Sequence, residues 1–335
     1  MIRVLLLLLP FIPLNQSMDE AIVNLAFIGF QRKHGKRYKD EAEERKRAKI
    51  FQSNLEYIEK INAQNLSYAL GVNQYSDLTF EEFAAQMLHP FVVDDNLQER
   101  LPVEVGSDRV AAPTSVDWRG KGVLNPIKDQ GQCGSCWAFS ANGALEAQYA
   151  IATKKLLSFS EQQLNDCSTS YGNKGCDGGG LMEYAYEYIR DKGIDLESTY
   201  PYEAEDDTCK TSLESEADGL PAGEVTGSTF LSKTDDALVE AVAKAPVSVA
   251  LTANRAFTAY KKGVFSDTSC NGHQMNHAVV VVGYGSQGGD DYYIIRNSWG
   301  TSWGQEGYMY LKRGVSGKGQ CGILNYMCVA TLKTS

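Results

Sequence analysis

The sequence predicts an α+β protein of two lobes, preceded by a separate helical segment. Two changes of pattern along the 335 residues support this prediction. Residues 19 to about 90 contain no cysteine, carry many charges and read as helical, whereas all eight cysteines follow residue 111. In the cysteine-containing part, helical patterns come first and apolar strands with glycine-rich turns follow after about residue 220, an order typical of α+β proteins.

The first residues resemble a secretory leader. MIRVLLLLLPFIPL has one positive charge, at Arg3, followed by an apolar run that is too short to span a bilayer and is interrupted by Pro10 and Pro13. We therefore expect a signal peptide over residues 1–17 and a soluble mature protein that has passed through the secretory pathway. That route favours disulfide formation by the cysteines.

Composition and charge exclude several classes of protein. An apolar content of 43% is enough to bury a core, which argues against a disordered chain. The formal net charge is −10, and acidic residues are in excess both before and after residue 111. This balance argues against nucleic acid or an anionic membrane as the main partner.

The helical segment before residue 91 carries a regular stripe of polar and apolar side chains. Six residues are spaced 4, 4, 3, 4 and 4 apart and therefore share one face of a helix: Glu43, Arg47, Phe51, Asn54, Ile58 and Asn62. Two asparagines on this face are unexpected for a plain core stripe. Residues 91–111 show neither helical nor strand periodicity, so we interpret them as an exposed linker that proteases can cut.

The later elements follow from the periodicity of the chain. WAFSANGALEAQYA, after Cys136, contains one charge and predicts a buried helix, and helical patterns follow at 160–166 and 181–191. Four strands are predicted from alternating or continuous apolar runs, at 247–252, 277–285, 291–299 and 307–313.

The pair Cys133 and Cys136, in DQGQCGSCWAFS, permits three interpretations. A redox dithiol is disfavoured because polar, turn-like residues precede Cys133, where a thioredoxin-like motif follows a buried strand. A zinc site with His273 and His277 is disfavoured because 136 residues separate the two pairs and the secretory route favours disulfides. The third interpretation is a nucleophilic Cys136, since a thiol at a helix N-terminus has a lowered pKa.

A nucleophilic thiol needs a base and an orienting group for that base. The part of the chain after the linker contains only two histidines, and His277 opens the rigid apolar strand HAVVVVGYG, whereas His273 lies in a Gly/Asn turn. We therefore favour His277 as the base. Asn297, in RNSWGTSWG, can supply an amide oxygen to the imidazole, and Trp299 can shield that bond from water.

These motifs together resemble the papain family of cysteine proteases, and its cathepsin L-like members in particular. CGSCW matches the C-G-[SA]-C-[WY] signature, and NHAVVVVGYG and RNSWGTSWG follow in the family's order. The stripe from Glu43 to Asn62 is complete as in cathepsin L-like propeptides, and GVNQYSD, residues 71–77, resembles their G-x-N-x-F-x-D. The resemblance covers nearly the whole chain.

The resemblance implies a papain-like two-lobed fold and a zymogen. Its helical left lobe would span about 112–222 and its β-barrel-like right lobe about 223–335. Residues 18–111 would be an inhibitory propeptide that runs through the active-site cleft in the non-cleavable direction and is removed at acid pH. The protein would be a cysteine endopeptidase, since no insertion resembling the occluding loop of cathepsin B follows Cys209.

The resemblance also assigns catalytic roles. The Cys136 thiolate would attack the peptide carbonyl, and His277 as imidazolium would protonate the leaving amine. The side chain of Gln130 and the Cys136 backbone N–H would stabilise the oxyanion. Neither a metal nor an organic cofactor would be needed.

The remaining cysteines and the glycan site complete the expected covalent structure. By resemblance, three bridges form and Cys328 is left over; the pairs are Cys133 with Cys176, Cys167 with Cys209, and Cys270 with Cys321. Asn65 begins a glycosylation sequon within the propeptide.

By resemblance, substrate preference depends on the pocket for the second residue before the scissile bond, here called the second-residue pocket. Its matching positions are mostly apolar: Leu181, Met182, Ala250, Met275, Asn276 and Tyr326. Gly178 and Gly179 would pair with the substrate backbone, although CDGGGLM has one more glycine than the family's CNGGLM. We expect the bulky Tyr326 to shorten the pocket and to favour Leu or Val over Phe or Arg.

The expected partners are protein and peptide substrates, the chain's own propeptide and cystatin-like inhibitors, with the enzyme a monomer in the lysosome or outside the cell. Another class of function remains open at this stage. A catalytically silent homologue that binds peptides or inhibitors would share the same fold.

Overall fold

The computed structural model describes residues 20–92, 103–104, 112–210 and 219–333. The expected signal peptide and the expected end of the propeptide at residue 111 lie outside these residues. None of the helices in the described ranges is long and apolar enough to cross a membrane.

The segment before the linker forms a small helical unit. Its elements are α1 (Glu20–His34), α2 (Glu41–Asn62), the short strand β1 (Tyr68–Leu70) and α3 (Phe80–Met87). Helix α2 begins at Asp40, whose side chain accepts a hydrogen bond from Glu43 N and so satisfies a free N–H of the first turn. Helices α1 and α2 pack through an aromatic cluster of Phe27, Phe30 and Phe51.

The stripe on α2 binds the chain that returns after the helix. Arg47 Nε lies 2.6 Å from Glu43 Oε1, and its Nη1 lies 2.7 Å from Glu82 Oε2 at the start of α3. Asn54 Nδ2 donates to the carbonyl oxygens of Ser76 and Leu78. The polar side chains of the stripe are therefore explained by their hydrogen bonds to this loop. The side chains of a plain core stripe make no such bonds.

The helical lobe of the main part is built around one buried helix. It contains α4 (Cys136–Thr153), α5 (Glu161–Cys167), α6 (Gly175–Gly178) and α7 (Met182–Lys192). Fourteen residues of α4 are buried, which explains the nearly uncharged sequence of this helix. The predicted helices at 160–166 and 181–191 are confirmed within one residue at each end.

The second lobe is built on a sheet of ten described strands. Its strands and short helices are β3 (Val116–Asp117), β4 (Val225–Leu231), α8 (Asp235–Lys244), β5 (Val247–Leu251), α9 (Arg255–Thr258), β6 (Tyr260–Phe265), β7 (His277–Gln287), β8 (Asp290–Arg296), β9 (Tyr308–Lys312) and β10 (Tyr326–Leu332). With β1 and β2 (Val103–Glu104), the strand order is β1-β6-β9-β8-β7-β5-β10-β4-β2, and β3 pairs with β7. The α+β fold class is confirmed.

Two strands that precede residue 111 extend this sheet. β1 pairs antiparallel with β6, and β2 pairs parallel with β4 at Phe230 and Leu231. The segment before residue 111 is thus held to the main part by backbone hydrogen bonds as well as by side chains.

The two lobes meet where α4 packs on β7. Ser140 Oγ, in the first turn of α4, donates to the carbonyl oxygen of Val279 at 2.7 Å. The predicted strand 291–299 ends earlier, at Arg296, and the residues that follow leave the sheet beside the start of β7. These two features bring the start of α4, the start of β7 and the end of β8 to one place.

Candidate active site

The thiol of Cys136 lies at the N-terminus of α4. Cys136 is the first residue of the helix, and Ser135 at the cap makes no side-chain hydrogen bond to the first turn. The positive end of the helix dipole therefore acts directly on Cys136. The sulfur accepts a hydrogen bond from the backbone N–H of Ala278 at 3.4 Å, which fixes the thiol against the first residues of strand β7.

The imidazole of His277 is held by one of its two nitrogens. Nε2 lies 2.8 Å from Asn297 Oδ1, whereas Nδ1 is buried and has no hydrogen-bond partner among the described residues. His277 directly precedes Ala278, so the histidine is adjacent in β7 to the residue whose N–H binds the thiol. An oriented imidazole with one free nitrogen is suited to exchange a proton with the thiol.

Trp299 covers the bond between His277 and Asn297. Its ring stacks on the imidazole with 4.4 Å between ring centroids, and the side chain is fully buried. The Asn297 amide oxygen also accepts the backbone N–H of Ser298 at 2.8 Å. The asparagine is therefore fixed from two sides and shielded from water.

The side chain of Gln130 is fixed in the same region. Its Oε1 accepts hydrogen bonds from Ser298 Oγ at 2.7 Å and Trp299 Nε1 at 3.1 Å. Its Nε2 donates to the carbonyl oxygens of Cys133 at 2.8 Å and Met87 at 3.2 Å. A backbone carbonyl from the segment before the linker thus contacts the amide that the sequence assigns to the oxyanion.

Burial controls the charge of the thiol and the imidazole in this structure. It raises the pKa of Cys136 to about 12, although backbone N–H groups act in the opposite direction. It also lowers the pKa of His277 to about 4, against the effect of the Asn297 bond. The sequence predicted a lowered thiol pKa, and this is wrong for the covered site, because loss of water outweighs the helix N-terminus.

The segment from Met87 to Phe91 passes along the site. His89 N donates to the carbonyl oxygen of Asn276 at 3.1 Å, and Phe91 N donates to that of Met275 at 2.9 Å. The ring of Phe91 is 6% exposed and lies 6.3 Å from the ring of Tyr326. Phe91 is therefore buried in the pocket, and the interpretation of residues 91–111 as exposed linker is wrong at this position.

The residues predicted for the second-residue pocket lie in the same apolar region as this phenyl ring. Phe91 shares one apolar cluster with all but one of the pocket residues predicted from the sequence: Leu181, Met182, Ala250, Met275 and Tyr326. The Asn276 side chain bonds to the Ala253 backbone, so Asn276 offers its own carbonyl oxygen. The predicted preference for Leu or Val over Phe does not follow from this arrangement, because a phenyl ring already lies 6.3 Å from the ring of Tyr326.

The three predicted disulfide pairs are present in the structure, and Cys136 and Cys328 are free and buried. The bridge between Cys133 and Cys176 leaves Cys133 unable to serve as a redox partner of Cys136 or as a zinc ligand. His273 lies in an exposed turn, where its carbonyl oxygen accepts Thr252 Oγ1. Asn65 is exposed between α2 and β1, and its glycosylation stays a prediction.

Comparisons with known proteins agree with this geometry. The family model described as papain family cysteine protease matches residues 112–331, and the cathepsin propeptide inhibitor domain (I29) matches residues 27–83. The chain belongs to the papain family. It is a cysteine-type endopeptidase that carries its own inhibitory propeptide.

Papain-family relatives match over most of their lengths. Digestive cysteine proteinase 1 of Homarus americanus is 42% identical over 323 residues, which cover 93% of this chain and 96% of that protein. Cathepsin L1 of Drosophila melanogaster is 42% identical over 337 residues, which cover 96% and 88%. The structure of digestive procathepsin L 3 from Tenebrio molitor larval midgut has 38% identity and a TM-score of 0.83, and it covers 93% of this chain and 99% of that one.

The glycine-rich loop of this papain-family chain contacts the propeptide through one of the two predicted glycines. A Cβ on Gly179 would lie 2.8 Å from His89 Cβ, so the propeptide can approach only because the side chain is absent. Gly178 instead faces Lys174, and Gly180 packs on Trp137. Of the two glycines predicted to pair with the substrate backbone, only Gly179 lies against the propeptide at His89.

Proposed function

We propose that the mature enzyme hydrolyses peptide bonds through a thioester formed on Cys136, with His277 as its acid–base partner and Asn297 as the orienting residue. One observation carries this proposal. Asn297 holds His277 through Nε2, while the buried Nδ1 has no hydrogen-bond partner within the described ranges, and the adjacent Ala278 N–H holds the Cys136 sulfur.

The chemistry follows from uncovering this site. Once the propeptide leaves, water returns to the site. The desolvation cost that keeps the thiol and the imidazole neutral then falls, and the helix N-terminus favours a thiolate beside an imidazolium. The thiolate attacks the peptide carbonyl, and His277 protonates the amine that leaves. Water then attacks the thioester, and His277 takes up the proton, which returns the enzyme to its starting state.

Gln130 and the backbone N–H of Cys136 would stabilise the oxyanion of the tetrahedral intermediate. The bond from Gln130 Nε2 to the Met87 carbonyl oxygen marks where this amide can receive an oxygen atom. Because Gln130 is fixed by Ser298 and Trp299, its donor needs little reorganisation when charge develops.

The direction of the propeptide explains why it inhibits without being cut at the site. In a substrate, the residue in the second-residue pocket precedes the carbonyl that reacts. In this chain, Phe91 fills the pocket but follows Met87, whose carbonyl contacts Gln130. The propeptide therefore runs opposite to a substrate and presents no correctly placed peptide bond.

The setting of the enzyme is part of the same proposal. A leader at residues 1–17 would send the chain into the secretory pathway, in keeping with its three disulfides. The mature part, from about residue 112, would act as a monomer in the lysosome or outside the cell after removal of the propeptide at acid pH. Cystatin-like inhibitors would bind in the same cleft.

Turnover of fluorogenic peptides tests the proposed function. We expect the purified proprotein, after acid treatment, to cleave peptides in a thiol-dependent way. Leu and Phe at the second residue before the cut should give kcat/KM values within about tenfold of each other, because the pocket already holds Phe91. Arg should be at least about tenfold poorer, because the pocket would bury its charge without a partner.

The outcomes separate the proposal from its alternative. No turnover after confirmed loss of the propeptide, together with binding of the same peptides, would favour a catalytically silent peptide binder. Turnover that strongly favours Leu over Phe would show that Tyr326 closes the pocket once Phe91 has left.

The burial of Phe91 predicts that this side chain contributes strongly to inhibition by the propeptide. Phe91→Ala should raise the rate of Cys136 alkylation in the intact proenzyme by at least about tenfold, since a buried Phe→Ala change costs roughly 3–5 kcal/mol. Val92→Ala is the matched control, because Val92 is the next residue and is 75% exposed. Equal alkylation rates in the two variants would mean that Phe91 does not hold the propeptide in the cleft.

A further inference from the structure

Glu183 is a buried carboxylic acid behind the second-residue pocket. It follows Leu181 and Met182 in the chain and lies in the first turn of α7. Its side chain is fully buried, and neither carboxyl oxygen has a hydrogen-bond partner among the described residues. Its backbone N–H lies 3.4 Å from the hydroxyl oxygen of Tyr326. Glu183 thus connects the start of α7 with Tyr326, and it takes no part in the proposed chemistry.

In the part of the chain that the structure describes, no positive charge acts on the Glu183 carboxyl group. Glu187, one turn along the same helix, is the charge that acts on its carboxyl group, and it is negative. Strand β10 contributes Tyr326 and the buried Cys328, and burial together with a charge on Glu183 raises the pKa of that thiol. Strand β4 has no titratable side chain, and its Ser228 hydroxyl acts on the Cys328 thiol.

The other titratable groups near α7 are engaged elsewhere. On α4, Cys136 contacts Ala278, Glu146 lies near Lys128, and Tyr149 packs on Phe159. On α7 itself, the Tyr186 hydroxyl pairs with Ser248 Oγ at 2.9 Å. Tyr171, in the turn that packs on α7, binds Asp191. None of these groups compensates a charge on Glu183.

Protonation of Glu183 follows from this environment. Burial raises the pKa of its carboxyl group to about 8. The group is protonated in both the folded and the unfolded chain at strongly acid pH. Above its ordinary pKa of 4.5 it ionises in the unfolded chain first, so its contribution to stability falls as pH rises toward about 8. Above that pH the folded protein contains a buried anion for which the described residues supply no cation.

We propose that Glu183 is a positioning residue of the second-residue pocket, which holds the start of α7 against Tyr326 only while its carboxyl group is neutral. Ionisation draws water or displaces this turn, so Leu181, Met182 and Tyr326 no longer enclose an apolar side chain. The enzyme then loses its preference for apolar residues at alkaline pH. The inference rests on the proposed function, because it assigns the pocket to the second residue before the cut.

The test compares two substrates as a function of pH. The activated enzyme cleaves peptides with Leu or Gly at the second residue before the cut, and the ratio of their kcat/KM values is measured at about pH 5.5 and about pH 8.5. Steps at Cys136 and His277 are common to both substrates and cancel in the ratio. We expect the ratio to fall by at least about fivefold in the wild type and by less than about twofold in Glu183→Gln.

Glu187→Gln is the matched control, because it removes a partly exposed carboxylate from the same helix, and it should keep the wild-type fall. A flat wild-type ratio, or an equal fall in Glu183→Gln, would overturn the inference even if that variant folded poorly, since the wild-type measurement stands alone.

A second measurement does not depend on activity. Infrared spectra of the intact proenzyme at about pH 6.5 should show the carbonyl band of a protonated carboxylic acid, and Glu183→Gln should remove it. Absence of that band would overturn the inference while leaving the peptidase intact. Absence of turnover with both substrates would overturn the proposed function and the pocket assignment together, whatever the band shows.

Discussion

Replacing Cys136 by Ser is expected to lower kcat/KM by at least about 10⁴-fold, because removal of a nucleophile disables the whole catalytic unit. The hydroxyl is similar in size to the thiol, so the fold and the hydrogen bond from Ala278 N should be retained. Ser lacks the low pKa that a thiol reaches at a helix N-terminus, so little of it is present as the anion. Steady-state cleavage of a fluorogenic peptide measures the loss.

The leftover thiol provides the control for this prediction. Cys328 is also free and buried, but it lies in β10 rather than at a helix N-terminus. Cys328→Ala should keep most of the activity. Because the Cys136→Ser proenzyme cannot process itself, both variants are converted by an acid protease that is removed before the assay. Substantial activity in Cys136→Ser would refute the assignment of the nucleophile.

The proposed catalytic residues could be chosen from the sequence because the chemistry proposed for them depends on local features of the chain. A cysteine at the start of an uncharged helix, a histidine at the start of an apolar strand and an asparagine just after another strand each have a local physical reason. The structure places Cys136, His277 and Asn297 at these element ends. The family resemblance then gave their order, and the packing of α4 on β7 brings them together.

The contacts of the propeptide with the cleft were not predictable from local patterns. Met87 and His89 bind through backbone atoms, and main-chain contacts leave no preference for a particular side chain. Phe91 was assigned to the linker, because a single aromatic residue after Pro90 has no periodicity. Most residues predicted for the second-residue pocket share one apolar cluster, but the presence of Phe91 in that cluster depends on the path of the whole chain.

The burial of titratable side chains could not be predicted from the sequence for a related reason. Glu183 lies in a helix with charged neighbours, where a pattern indicates exposure, yet α7 is covered by β4 and β10. Lys128 lies in a polar turn, and the carboxylates around it come from three distant segments. Only convergence of such segments in space determines whether a charged side chain is buried.

Replacing Lys128 by Met is expected to destabilise the protein by roughly 3–5 kcal/mol, because it leaves buried carboxylates without their cation. Lys128 Nζ lies 2.7 Å from Glu161 Oε2 and 3.6 Å from Glu146 Oε1, and both glutamate side chains are 1% exposed. These glutamates raise the pKa of Lys128 against the opposing and larger single effect of burial. The ammonium group therefore stays charged and compensates them.

The loss should depend on pH and on the remaining carboxylates. Without Lys128, the buried glutamates bind protons more tightly when folded, so the deficit should be smaller at about pH 5 than at about pH 7.5. Urea unfolding in a Cys136→Ala background, which prevents self-cleavage, measures the loss of stability.

Two further variants are the controls. Lys121→Met, at an exposed position nearby, should have little effect on stability, and Glu161→Gln added to Lys128→Met should restore part of the loss. A deficit that is small and independent of pH would mean that water, rather than Lys128, compensates these glutamates. The Lys128 carbonyl oxygen accepts a hydrogen bond from Gly300 N, and Gln130 lies two residues further along the chain. The same substitution should therefore also loosen the loop that carries Gln130.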